Sequence, residues 1–199
     1  MTKTLLSLAA AALLPIVTAC SAATTEPSRT EAAPTGSAVP SDASAFLAEH
    51  DLDGMSVSDI VASLDATNAD REAGPYGSIR PTELILTDDA GAEVSLPVDD
   101  GFYLSIAPYV SQTHECYNHN LASCQGELAG EEIEVSIVTA DGEQLVDETV
   151  TTHDNGFAGF WLPADIRATV TVTRDGRTAE QEISTGAEDP TCITTMQLA

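Results

Sequence analysis

The chain has 199 residues, with 7 Lys and Arg against 32 Asp and Glu, a formal net charge of −25, and 43% hydrophobic residues. That length supports one substantial core, or a small helical piece beside a β domain. Such acidity argues against nucleic-acid binding and against electrostatic adhesion to anionic lipid, and it attracts cations without selecting among them.

The N-terminal segment reads as an export signal. Lys3, the only Lys of the chain, supplies a positive start, and Leu5 to Val17 is an apolar run broken only by Ser7 and Pro15. It is too short to span a bilayer core of about 30 Å. The run ends in Val17-Thr18-Ala19-Cys20, which looks like a bacterial lipobox. A signal peptide over 1–19, cleavage before Cys20 and lipid on its thiol are therefore expected; the alternative is an ordinary signal peptide cut nearby, leaving Cys20 free. Acyl chains contribute about 0.8 kcal/mol per buried methylene, so two of them anchor stably. No later stretch is apolar enough to cross a membrane, so the expected membrane contact is by the lipid anchor only. This places the protein on the outer face of the cytoplasmic membrane or in the periplasm. Residues 20–41 hold no large apolar side chain except Val39. They read as a disordered tether, because so little apolar surface cannot offset ordering entropy.

Residues 42–77 read as a small helical domain. Ser41-Asp42 is a cap-like start with Phe46 and Leu47 after it; Ser56-Val57-Ser58-Asp59 is a second, followed by Ile60, Val61 and Leu64 at helical spacing. Helices this short are marginal alone and should pack on something. Residues 78–199 read as a β-sandwich metal-binding domain, and from Arg80 onward the period becomes alternating. Strands are expected at Thr82–Thr87, Glu93–Pro97, Phe102–Val110, Ile133–Val138, Gln144–Val150, Phe157–Leu162, Ala168–Thr173, Thr178–Ser184 and Ile193–Leu198. Asp89-Ala90-Gly91, Asp141-Gly142 and Asp175-Gly176 mark hairpin turns between them. The predicted fold is mainly β with a small α N-terminal unit, an antiparallel β-sandwich of immunoglobulin-like type. Trp161 is expected in its core.

The chemistry concentrates in Thr113-His114-Glu115-Cys116-Tyr117-Asn118-His119-Asn120-Leu121-Ala122-Ser123-Cys124, between two predicted strands. A third thiol, Cys192, follows Asp189-Pro190-Thr191. With Cys20 consumed by lipid, three cysteines remain, an odd number for an oxidising compartment. Three thiolates around one soft ion would use them all, and such ligands select Cu(I) and, less exclusively, Zn(II). His114 or His119 would add a nitrogen. A plain Cys116–Cys124 disulfide with Cys192 as a buried thiol fits the spacing equally well. His114-Glu115 with His119 is not a zincin motif, because those histidines sit five apart instead of four. His50 and His153 have no cluster nearby. No nucleophile elbow, phosphate loop or Cys-x-x-Cys is present, so no catalytic residue is assigned and the chain reads as a metal-binding protein before an enzyme.

Phe102 to Val110, His114 to Leu128, Gly156 to Pro163 and Thr185 to Leu198 resemble the CueP family of periplasmic copper-binding proteins. The resemblance runs from about Phe46 to the C-terminus. It implies copper bound as Cu(I), a role in copper resistance, buffering or delivery, and a cuproprotein recipient such as an envelope superoxide dismutase. It also implies a β-rich domain carrying the three cysteines and a small N-terminal domain with the capacity to form a homodimer. The family cysteines map onto Cys116, Cys124 and Cys192, with His114 and His119 beside them as ligands or supporting groups. The lipobox and tether set this chain apart from the periplasmic members and favour capture at one membrane; its extreme acidity also sets it apart, because a recipient would need a complementary face. The competing expectation is a thiol redox protein or metal-ion reductase cycling a Cys116–Cys124 disulfide; a third is a structural lipoprotein.

Overall fold

The structure, a computed structural model, describes residues 41–66, 74–99 and 101–199. The expected signal peptide, Cys20 and the expected tether up to residue 40 lie outside the described residues. Two helices open the fold, α1 (Ser41–Glu49) and α2 (Val57–Asp65). Ser56 caps α2 by a reciprocal box: its Oγ accepts from the Asp59 N–H at 3.1 Å, and the Asp59 carboxylate accepts from the Ser56 N–H at 3.4 Å. Ile60, Val61 and Leu64 form its buried stripe.

Eleven strands follow: β1 (Tyr76–Ile79), β2 (Glu83–Thr87), β3 (Glu93–Pro97), β4 (Phe102–Ile106), β5 (His119–Asn120), β6 (Glu132–Thr139), β7 (Gln144–Thr151), β8 (Ala158–Leu162), β9 (Arg167–Arg174), β10 (Arg177–Ser184) and β11 (Cys192–Ile193). They make three sheets, ordered β3-β2-β1-β5, β10-β9-β6-β7 and β11-β4-β8. Every pairing is antiparallel except that of β11 on β4. The fold is therefore mainly β and sandwich-like with two short helices.

Two larger cores divide the work. Phe102, Leu104, Ile106 and Phe160 meet Ile133, Val135, Ile137, Val170 and Val172 in the sandwich. Phe46, Leu47, Ile60, Val61 and Leu64 of the helices meet Ile79, Leu84, Leu86 and Leu96 of the first sheet. The helices, too short to persist alone, are thus held by tertiary burial.

Three expectations need correction. Trp161 is 38% exposed and is not a core residue. Alternation along β8 turns Ala158, Phe160 and Leu162 inward and leaves Trp161 on the other face, against Tyr103 opposite it (ring centroids 5.1 Å apart). The Phe102–Val110 strand stops at Ile106, ahead of Pro108, which has no N–H for a ladder. The expected final strand Ile193–Leu198 shrinks to β11 and one isolated bridge, Tyr109 to Gln197. Among the described residues, no helix is long and apolar enough to cross a membrane.

Candidate metal centre

Two very short strands bring the sulfurs together. β5 pairs on β1, Ile79 opposite His119 and Ser78 opposite Asn120. The Asn120 Oδ1 then accepts the N–H groups of Ala122 (3.1 Å) and Ser123 (3.0 Å), and the Cys124 N–H reaches the Asn120 carbonyl at 3.1 Å. This side-chain-to-backbone turn folds Cys124 back over Asn120. From the far end of the chain, β11 lies parallel to β4, and the Cys192 N–H donates to the Tyr117 carbonyl at 3.1 Å. One ligand atom each from Cys116, His119, Cys124 and Cys192 then falls within 4.8 Å of all the others.

The structure joins Cys116 to Cys192 as a disulfide and leaves Cys124 as a thiol, 3.5 Å from the Cys116 sulfur. The Cys116–Cys124 pairing that the spacing suggested is not the one formed. The β4–β11 pairing and the Tyr117 hydrogen bond seat Cys192 against Cys116, while the Asn120 turn holds Cys124 to one side. His119 and Cys192 are buried, whereas Cys116 and Cys124 are half-buried, so the cluster opens to solvent on the Cys116–Cys124 side. Ala107 and Phe157 pack behind it.

His119 is fixed from every direction. Its N–H donates to Thr191 Oγ1 (3.0 Å), whose own hydroxyl donates to the Ile79 carbonyl (2.7 Å). Its ring rests on Phe157 with centroids 4.5 Å apart. Nδ1 points to the sulfurs, 3.7 Å from Cys192 Sγ, and Nε2 lies 2.7 Å from Asp65 Oδ1. Asp65 is fully buried and also accepts from the Tyr103 hydroxyl (2.6 Å) and Asn155 Nδ2 (2.7 Å).

Electrostatics follow from that geometry. Burial by itself raises the Asp65 carboxyl, but the hydrogen bond and charge of His119, with Tyr103 and Asn155, outweigh it and leave the pKa lowered. For His119 burial works against the charge, yet Asp65 and the Cys124 sulfur together lift its pKa to about 9. Tyr103 is pushed well above the ordinary phenol value, first by burial and then by the Asp65 charge. His119 and Asp65 thus form an imidazolium–carboxylate pair beneath the sulfurs.

His114 stands outside the four-residue group. Its Nε2 is buried with no hydrogen-bond partner among the described residues, and its ring meets Phe157 edge-on at 6.1 Å. It lines a cleft of about 480 Å³ together with Tyr109, Glu115, Cys116 and Thr195. Asp65, Tyr103, Asn155, Phe157 and Thr191 were not legible as site residues. Only Asp65 leaves a signal: an acid on the apolar stripe of α2, four residues after Val61, at the helix end where negative charge is disfavoured.

Fold and site together define a β-sandwich protein whose sulfur-and-imidazole cluster could hold a soft metal ion. A family model described as "Periplasmic copper-binding protein CueP" matches residues 59–197, and the chain belongs to the CueP family of periplasmic copper-binding proteins. A solved structure described as "Crystal Structure of S.CueP" is similar at 40% identity and a TM-score of 0.75, covering 81% of this chain and 100% of its own. No curated protein matches significantly.

Proposed function

We propose that this chain is a lipid-anchored envelope copper protein that holds one Cu(I) on Cys116, Cys124 and Cys192 with His119 as a supporting nitrogen. The observation carrying this reading is the convergence of those four ligand atoms within 4.8 Å in a member of a copper-binding family. Three sulfurs suit Cu(I) better than Cu(II), and a half-open cluster suits buffering or delivery better than permanent storage. His114, at the cleft beside Cys116, is assigned to the mouth of the site, where an ion arrives or leaves. The recipient fitting the family expectation is an envelope cuproprotein such as a superoxide dismutase, and the lipid on Cys20 would confine exchange to one membrane.

Loading requires the Cys116–Cys192 bond to take two electrons and two protons from a dithiol, which is itself oxidised to a disulfide. Each thiol that binds then releases its proton, and His119 gives up the proton on Nδ1 while Nε2 keeps its own. A second reading, thiol redox activity, is favoured by the Cys124 thiol lying 3.5 Å from Cys116. There the Cys124 thiol gives up its proton and attacks Cys116 as thiolate, a Cys116–Cys124 bond forms, and Cys192 leaves as a thiolate that takes up a proton in turn.

The reduced protein should bind one Cu(I) per chain in competition with a chromophoric Cu(I) chelator, with Zn(II) competing poorly. Cys192→Ser and Cys116→Ser should each abolish stoichiometric binding. If Cys192→Ser keeps wild-type affinity, the three-thiolate site is wrong. In the same samples, consumption of a dithiol reductant beyond one equivalent per chain would favour the redox reading.

A further inference from the structure

We propose that Asp65 is the positioning residue of the cluster: it holds the Nε2 proton of His119, so that Nδ1 is the nitrogen presented to the metal. This rests on the Cu(I) reading above and adds a link between copper affinity and the seating of helix α2.

Asp65 breaks the local rules for its place in the fold. It is the last residue of α2, where the macrodipole disfavours negative charge. It continues the apolar stripe of Ile60, Val61 and Leu64 and is wholly buried, which is costly for a carboxylate without partners. A small apolar residue would serve the helix better. Among the described residues its compensation comes from three donors on three separate elements: His119 Nε2 on β5, the Tyr103 hydroxyl on β4 and Asn155 Nδ2 in the turn before β8. Violations of local preference of this kind gather at functional sites.

The consequence for the imidazole is geometric. With Nε2–H committed to the carboxylate at 2.7 Å, the remaining nitrogen is the one 3.7 Å from Cys192 Sγ. A 180° ring flip would place Nδ1 away from the sulfurs and forfeit the Asp65 bond; Phe157 against the ring face and Thr191 on the backbone N–H hold the observed pose. A carboxylate behind a ligating histidine fixes its tautomer and strengthens its donation to the metal. Because Asp65 is carried by α2, and α2 is packed on the sheet that contains β5, the helix and the ligand form one mechanical unit.

The test uses the reduced full chain and Cu(I) alone as probe, in wild type, Asp65→Asn, His119→Ala and the double variant. Chelator competition should show Asp65→Asn weakening Cu(I) by about 10–100-fold. His119→Ala should weaken it similarly, and the double variant no further than His119→Ala alone. X-ray absorption at the copper edge should lose nitrogen scattering in Asp65→Asn as in His119→Ala. An unchanged affinity in Asp65→Asn, or losses that add in the double variant, would show that Asp65 serves only the fold. Should Asp65→Asn fail to fold, imidazole nitrogen NMR of Cu(I)-loaded wild type decides. Protonated Nε2 with Nδ1 ligated is expected, and Nε2 ligation overturns the proposal. Failure of wild type to bind Cu(I) would instead remove the underlying reading and is seen separately.

Discussion

In the sheet β10-β9-β6-β7, pairing is dominated by hairpins: β6 meets β7 across Asp141-Gly142, and β9 meets β10 across Asp175-Gly176. Asp175 and Gly176 both have positive φ (52° and 75°), the primed-turn geometry that matches strand twist. The cluster is closed by the opposite means. β5 and β11 are two residues each, and they pair with β1 and β4 from distant parts of the sequence; the disulfide spans 76 residues. Long ladders give the sandwich its regular core, whereas short non-local pairings converge four ligand atoms with little regular structure around them. The first region is built for stability and the second for aim, and their sensitivities to mutation should separate.

The largest expected effect on stability lies in the sandwich. Ile137 is fully buried on β6. Ile137→Ala should cost about 2–5 kcal/mol in denaturant unfolding, with one Cu(I) still bound by the folded fraction. Loss of copper stoichiometry in that folded fraction would break the division between the two regions.

A smaller effect is expected at the N-terminus of α2, the end opposite Asp65. Ser56→Ala removes the capping box and should lower stability by about 1 kcal/mol. Copper affinity should stay unchanged, because the buried C-terminal end is pinned by its three donors. A drop in affinity would mean that the whole helix, and not only its last turn, sets the cluster.

The smallest effect is pH-dependent. Glu127 accepts from the Ser111 hydroxyl and from the N–H groups of Val110, Ser111 and Gln112, clamping the segment that leads from β4 toward Cys116. Those hydrogen bonds hold its carboxyl at about 2 instead of 4.5. A lowered folded-state value means that stability is fully present above 4.5 and is lost as pH falls toward 2. Glu127→Gln should therefore flatten the wild-type decline in melting temperature across that window. An unchanged slope would show that the clamp contributes nothing.

Most of the sandwich was readable from period-two alternation and Asp-Gly turns, since burial on one face imposes that pattern locally. β1 and β5 were not. Tyr76–Ile79 contains Gly77, whose lack of a side chain reads as loop; in the fold a Cβ there would meet Leu121 at 2.8 Å, so the glycine permits a close approach. His119–Asn120 is too short to carry any pattern. Trp161 was misplaced because an aromatic on a strand is read as core unless the face of its neighbours is known.

The four candidate ligand residues stood out as residue types, because sulfur and imidazole donors, three of the four within one segment, limit the chemistry whatever the fold. Their family was likewise in the sequence alone. Which cysteine pairs with Cys116, that His119 and not His114 faces the sulfurs, and that Asp65 lies against His119 were decided only by tertiary structure. Each depends on contacts between residues far apart in the chain, β11 on β4 and α2 beneath β5, which no local pattern encodes.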